Sequence, residues 1–201
     1  MPAEPELRAG RPRASSRQTL AEAACELFLE RGYHATSVAD ITRRAGVSRS
    51  SFFNYFSAKG DVFWAAFDER LDRAVGALDA GREAVPDALA GALSQFAPDS
   101  LALAVVNAET MGIGDELARE AALRQARLAD AVARRLRHDG MDALRSRIAG
   151  AAYAAAVLAA VWSWARDGAG RSPLAPAVRH ALALVPELAP TGDQGRPQPL
   201  T

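Results

Sequence analysis

Residues 36–56 read TSVADITRRAGVSRSSFFNYF, and their pattern decides the fold. Two short helical patterns flank a glycine. Thr36 or Ser37 can cap the first, because a short polar side chain there accepts from an otherwise unpaired backbone N–H. Val38, Ile41 and Ala45 recur at helical spacing and give that helix one apolar face. Gly46 stands where the chain must turn sharply, since glycine visits left-handed backbone angles without a Cβ penalty. Val47 pins the turn to the core. Ser48 caps a second short helix, in which Phe52 and Phe56 share a face. Arg49, Ser50, Phe53 and Asn54 occupy the other face. A helix-turn-helix requires this division: the second helix lies in the major groove and its N-terminal residues meet base edges.

The preceding helix carries LFLERGYHATSVADIT, and SAKGDVF follows. With AGVSRSSFFNYF between them, residues 16–63 resemble the DNA-binding domain of the tetracycline-repressor (TetR) family. The resemblance implies an N-terminal three-helix DNA-binding domain joined to a larger helical domain that binds ligand and dimerises, about nine helices in all. It also implies a regulator, by family default a repressor, acting on a (pseudo)palindromic operator. One departure is Gly60, where the family often has glutamate after the lysine. The capping box that would start at Ser57 is therefore incomplete.

Composition agrees with an all-α class. Alanine, leucine, arginine and glutamate dominate and no alternating pattern persists. The formal net charge is zero over 201 residues, so DNA affinity must come from a local patch. The single cysteine, Cys25, excludes a disulfide scaffold and suits a reducing cytoplasm. No apolar run near the N-terminus resembles a secretory signal. The run 148–165 is apolar but short, alanine-rich and flanked by arginines, and reads as a buried helix rather than a membrane span.

The expected organisation is a basic arm over 1–15, the DNA-binding domain over 16–62, the helical domain over 63–190 and a tail over 191–201. Arg8, Arg11 and Arg13 in the arm can enter a narrow minor groove, or the arm is a solvated tail. Within the helix-turn-helix, Arg49 can meet guanine or a phosphate, and Ser50 and Asn54 suit base edges. Phe53 offers an apolar surface, for instance to a thymine methyl. Thr36, Ser37, Ser48, Ser51 and Tyr55 can donate to phosphates. Arg43 and Arg44 are either flanking phosphate contacts or solvated helix charge. Lys59, the one lysine in the chain, contacts the phosphate backbone by resemblance.

Residues 57–82 read as a long connecting helix with Val62, Phe63, Trp64, Phe67 and Leu71 in its first half. Helices are also expected from Pro86, over 114–138, over 142–167 and over 174–188. Trp64, Phe67, Leu71, Phe96, Leu103, Asn107, Met111, Leu123 and Trp162 can line a ligand pocket, or pack as core. Asn107, Glu109 and Arg124 are the polar candidates for orienting a ligand. The stretch FFNYFSAKGDVFWAAFDERL also resembles a TetR branch associated with acyl-CoA-like ligands. The last two helices carry more apolar surface than one chain uses. By resemblance they pair with their copies, with Ala151, Ala155, Leu158, Trp162, Val178, Ala181, Leu182 and Val185 at the interface; alternatively they only close the monomer.

No enzyme, cofactor or metal is expected. His34, His138 and His180 lie in separate segments, and there is no Gly-rich phosphate loop or nucleophile elbow. The expected partners are operator DNA, a second copy of the chain and a small hydrophobic or acyl-type ligand. A regulator whose second domain only dimerises, or binds a protein, fits the sequence as well.

Overall fold

The computed structural model describes residues 16–94, 96, 99–168 and 171–187. The expected arm and tail lie outside them. Among the described residues there are ten helices and no strand. Two of them come from 99–113, where the sequence pattern placed no helix.

Helix α1 (Ser16–Arg31) buries Leu20, Ala24, Leu27 and Phe28. Gly32, at φ +83°, ends it. Tyr33 N–H then donates to Met111 O at 2.8 Å, which ties this corner to the second half of the chain. Helix α2 (Val38–Ala45) and α3 (Arg49–Phe53) follow, then α4 (Asp61–Ala80). The start of α4 corrects the expected one at Ser57. Residues 57–60 form a turn, and the Asp61 carboxylate accepts from Ser57 N–H at 2.8 Å and Ala58 N–H at 2.9 Å. Asp61 thus makes the back-bond to Ser57 N–H that the Ser57 box lacks, while the start of α4 itself has no side-chain cap. Gly60 has a steric reason as well. A Cβ there would sit 3.1 Å from the Tyr33 hydroxyl and 3.4 Å from the Glu116 carboxylate. A glutamate would add like-charge repulsion at that spot.

Helices α5 (Val85–Ala92), α6 (Ser100–Val106) and α7 (Ala108–Met111) pack beside α4 and α1. Two long helices, α8 (Gly114–His138) and α9 (Ala143–Arg166), run against each other, and α10 (Leu174–Glu187) covers α9. Gly150 makes the α8–α9 approach possible: a Cβ would meet Ala129 O at 2.4 Å. Helix α9 is long and apolar enough to cross a membrane by length and composition. Its packing between α8 and α10 accounts for much of that apolar surface, with Ala154, Val157, Val161 and Ala165 buried.

Helix α4 is zipped to α8 by charge. Arg124 spans Asp68 with two 2.7 Å hydrogen bonds and also donates to Glu120 at 2.6 Å. Its guanidinium lies 4.3 Å from the centroid of the Trp64 ring. Arg127–Asp72 and Arg134–Asp79 extend the row along the exposed edge. The exposed pairs stabilise little, but the Arg124 pair is half-buried and bidentate. Helix α4 is therefore tied to α8 along its length.

Candidate functional site

The helix-turn-helix is fixed by its own side chains. The Ser37 hydroxyl accepts from Asp40 N–H at 3.2 Å, and the Asp40 carboxylate accepts from Ser37 N–H at 3.0 Å. This reciprocal capping box satisfies two N–H groups that the helix leaves unpaired. Bonds from Ser37, with Arg43 alongside, hold the Asp40 carboxyl down at about 2. Gly46, at φ +67°, closes α2, and its N–H and that of Val47 return to the last turn. Ser48 accepts from Ser51 N–H at 3.1 Å and starts α3. Helix α3 is five residues long, so its attitude is set by packing: Phe52 is fully buried and stacks on buried Phe56.

That anchoring turns a distinct set of groups outward. Arg49, Ser50 and Asn54 are exposed, Phe53 is 49% exposed and Tyr55 45%. Arg49 lies over the Phe53 ring at 5.7 Å, which orders a cation at the start of α3. This combination offers hydrogen-bond donors, acceptors and an apolar plate on one small surface.

The other expected DNA-contacting residues divide. Ser37, Ser48 and Ser51 lie at this surface, but their hydroxyls already serve the caps and one another. Thr36 is a correction: it is 2% exposed and its hydroxyl donates inward to Gly32 O at 2.9 Å. Its methyl and hydroxyl are needed to close the α1–α2 corner. Arg43 pairs with Asp40, and Arg44 bridges Glu26 and Glu30, which raises the Arg44 pKa and lowers that of Glu30. Lys59 Nζ donates to Tyr33 O at 2.6 Å and Thr36 O at 3.0 Å, and stands 4.1 Å from the Tyr33 ring centroid. Desolvation lowers its pKa. In this state Lys59 is a strut under the corner.

The expected pocket lining needs wider correction. Trp64, Phe67, Leu71, Phe96 and Met111 are buried in the continuous core. Leu123 is 60% exposed, Arg124 is committed to α4, Glu109 is exposed, and Trp162 packs on Trp64. Of the expected lining, Leu103 and Asn107 do face a cavity, but a different one. It is a cleft of about 970 Å³ between α1, α4, α6 and the end of α9. Ala21, Leu29, Val62, Ala66 and Val106 give it apolar walls, with Arg17, Glu22, Glu69 and Asp99 among them. Arg17 pairs with Glu69 on α4, donates to Ala65 O and sits over Phe56. It thereby ties α1 to α4 and to the end of the α3 segment. Asp99 caps α6 through Leu101 and Ala102 N–H groups, and burial raises its carboxyl to about 6. Cys25 is buried beside it, its thiol pushed up to about 12 by desolvation and by Asp99, Glu22 and Glu26, so it is unreactive. Arg17 and Glu22 sit on α1, which the sequence presents only as an apolar stripe. A cleft formed by four separate segments has no one-dimensional signal.

The exposed apolar surface also differs from expectation. Leu158, Val178 and Leu182 are buried within the chain between α9 and α10, because α10 folds back on α9. Ala151 and Ala155 are exposed. Leu144, at 68% exposure, and Ile148, at 62%, extend their row along α9, and Leu184 stands exposed on α10.

A family model described as bacterial regulatory proteins, tetR family, matches residues 20–66. A Mycobacterium tuberculosis protein named as a mycofactocin biosynthesis transcriptional regulator, MftR, is 37% identical over 93 residues, 45% of this chain and 47% of that protein. The transcriptional activator FasR of Mycolicibacterium smegmatis is 39% identical over 64 residues, 32% of this chain and 29% of its own. The matched stretch spans less than half the length of either relative. A solved structure described as the fatty acid degradation regulator FadR from Bacillus halodurans has the same fold. Its TM-score is 0.54 at 22% identity, covering 83% of this chain and 96% of that one. The capped helix-turn-helix lies inside the segment that matches the tetR family of bacterial regulatory proteins, and the chain around it shares the fold of the FadR structure.

Proposed function

We propose that the chain is a sequence-specific DNA-binding regulator that works in the cytoplasm as a two-fold homodimer, released from its operator by a small ligand and acting as a repressor by occupancy. The observation that carries this is the outward surface of α3, with Arg49, Ser50, Phe53 and Asn54 exposed on a helix held by Ser48 and Phe52. Residues 16–62 read DNA and 63–190 sense and dimerise. Phosphate contacts come from Ser37, Ser48, Ser51, Tyr55 and Arg43, and from Lys59 once it leaves a carbonyl. A single short helix binds weakly at physiological salt, so two copies must enter successive major grooves about 34 Å apart. The row Leu144, Ile148, Ala151 and Ala155 has the seven-residue repeat of a helix-pairing seam and supplies the dimer face.

Ligand enters the cleft and changes the packing of α1 on α4. Helix α4 is bonded to α8 and through Arg17 to α1, so the reading heads change spacing. A coupling of about 1–3 kcal/mol changes operator affinity 5- to 150-fold. The acyl chain suggested by sequence resemblance is one apolar body that fits. A regulator that only dimerises would have an operator affinity indifferent to every ligand. The test is selection of bound fragments from the source genome with the full chain. The expected product is an inverted repeat with half-site centres about one helical turn apart. Absence of any enriched sequence overturns the reading, and a reporter beside the recovered site gives the sign of regulation.

A further inference from the structure

The charge of the cleft selects its ligand. Arg17 is neutralised by Glu69, and Glu26 by Arg44. Among the described residues neither Glu22 nor Asp99 has an ion-pair partner. Asp99 Oδ1 accepts from backbone N–H groups at 3.0 and 3.4 Å. Its Oδ2 is enclosed and has no hydrogen-bond partner. An enclosed carboxylate oxygen without a donor costs free energy that a bound donor restores. Both carboxylates line the cleft, together with Cys25. An anionic head group placed there would meet two carboxylates without ion-pair partners and a guanidinium already paired with Glu69, of which the enclosed Nε alone lacks an acceptor. A positive one would supply the missing donor.

Building on the ligand-responsive reading above, we propose that the cleft binds an amphipathic organic cation, its apolar body against Ala21, Val62 and Leu103 and its ammonium at Asp99 and Glu22. The cleft is lined by α1 of the reading head as well as by α4 and α6. Such a ligand therefore sits directly on the seam whose packing sets the head.

Matched probes test this on the full chain: decylamine, decanoate and decanol below micellar concentration, by titration calorimetry. Decylamine is expected to bind one per chain and at least about tenfold more tightly than decanoate. Asp99→Asn, which keeps the helix cap, is expected to weaken decylamine at least about tenfold and leave decanol unchanged. Glu22→Gln, on the α1 surface, gives a second variant with the same expectation to a smaller degree. Decanoate binding as tightly as decylamine overturns the proposal, as does decylamine binding that ignores both substitutions, or no binding of any probe. The regulatory reading fails separately. Decanoate that binds and lowers operator affinity would keep the sensor and sink the cation. A saturating amine that leaves operator affinity unchanged would keep the site and sink the sensor.

Discussion

In α2 and α3 each helix start is fixed by a serine within three residues of the group it caps, and the turn between them by one left-handed glycine. In α8 and α9 the decisive contact joins Gly150 to Ala129, on different helices. The head is a local construction and the helical half a long-range one. The difference suits the uses proposed for them. A reader of DNA would have to present the same few side chains whatever happens behind it, and short-range caps favour that. A sensor would need two packings close in free energy, which helix–helix seams can supply.

Substitutions can break that contrast in order of size. Gly150→Val should do most harm, because the added carbons meet a carbonyl oxygen on a packed helix. A loss of about 3 kcal/mol or more is expected, read as a fall in urea midpoint. An unchanged midpoint would mean that α8 and α9 do not approach as described.

Asp99→Asn should act in the opposite direction. The folded-state pKa of Asp99 is about 6, above the ordinary value of 3.8. Between about pH 4 and 6 the native state therefore holds a proton that the unfolded chain has released. Its contribution to stability is present below about pH 4 and is lost as pH rises through about 6. Asparagine stays neutral, so the variant should be more stable than the parent by roughly 2 kcal/mol at pH 7.5, with the difference vanishing near pH 4. Thermal melts at the two pH values check it, and equal melting temperatures at pH 7.5 would contradict it.

Ser37→Ala is the smallest of the three. Loss of the capping box should cost about 1 kcal/mol. Hydrogen exchange should rise in α2 first, leaving α8 and α9 protected. Uniform exchange across the chain would show that the head is not the local unit described.

The same difference of range decided what could be read from the sequence. Ser37, Gly46, Ser48 and the Phe52–Phe56 pair carry their meaning within a few residues, and each stands as its pattern implies. The helices over 114–138 and 142–167 were legible for the same reason, though not which face of α9 is buried. Thr36 was not: its hydroxyl serves Gly32, and only the folded corner reveals that direction. Phe67 and Met111 fill the core, and the cleft lies elsewhere, between α1, α4, α6 and the end of α9. Helix α10 folding back on α9 buried Val178 and Leu182 and left Ile148 outside, a choice between faces that spacing alone does not make.

The central claim is that the outward face of α3 reads DNA. The most direct measurement repeats the genomic selection with Asn54→Ala and Arg49→Ala beside the parent chain, at fixed salt. The account predicts that each variant loses about 1–3 kcal/mol on the parent's inverted repeat, with discrimination relaxed at one defined position in each half-site. Variants that select the same sequence with the same affinity as the parent would contradict it.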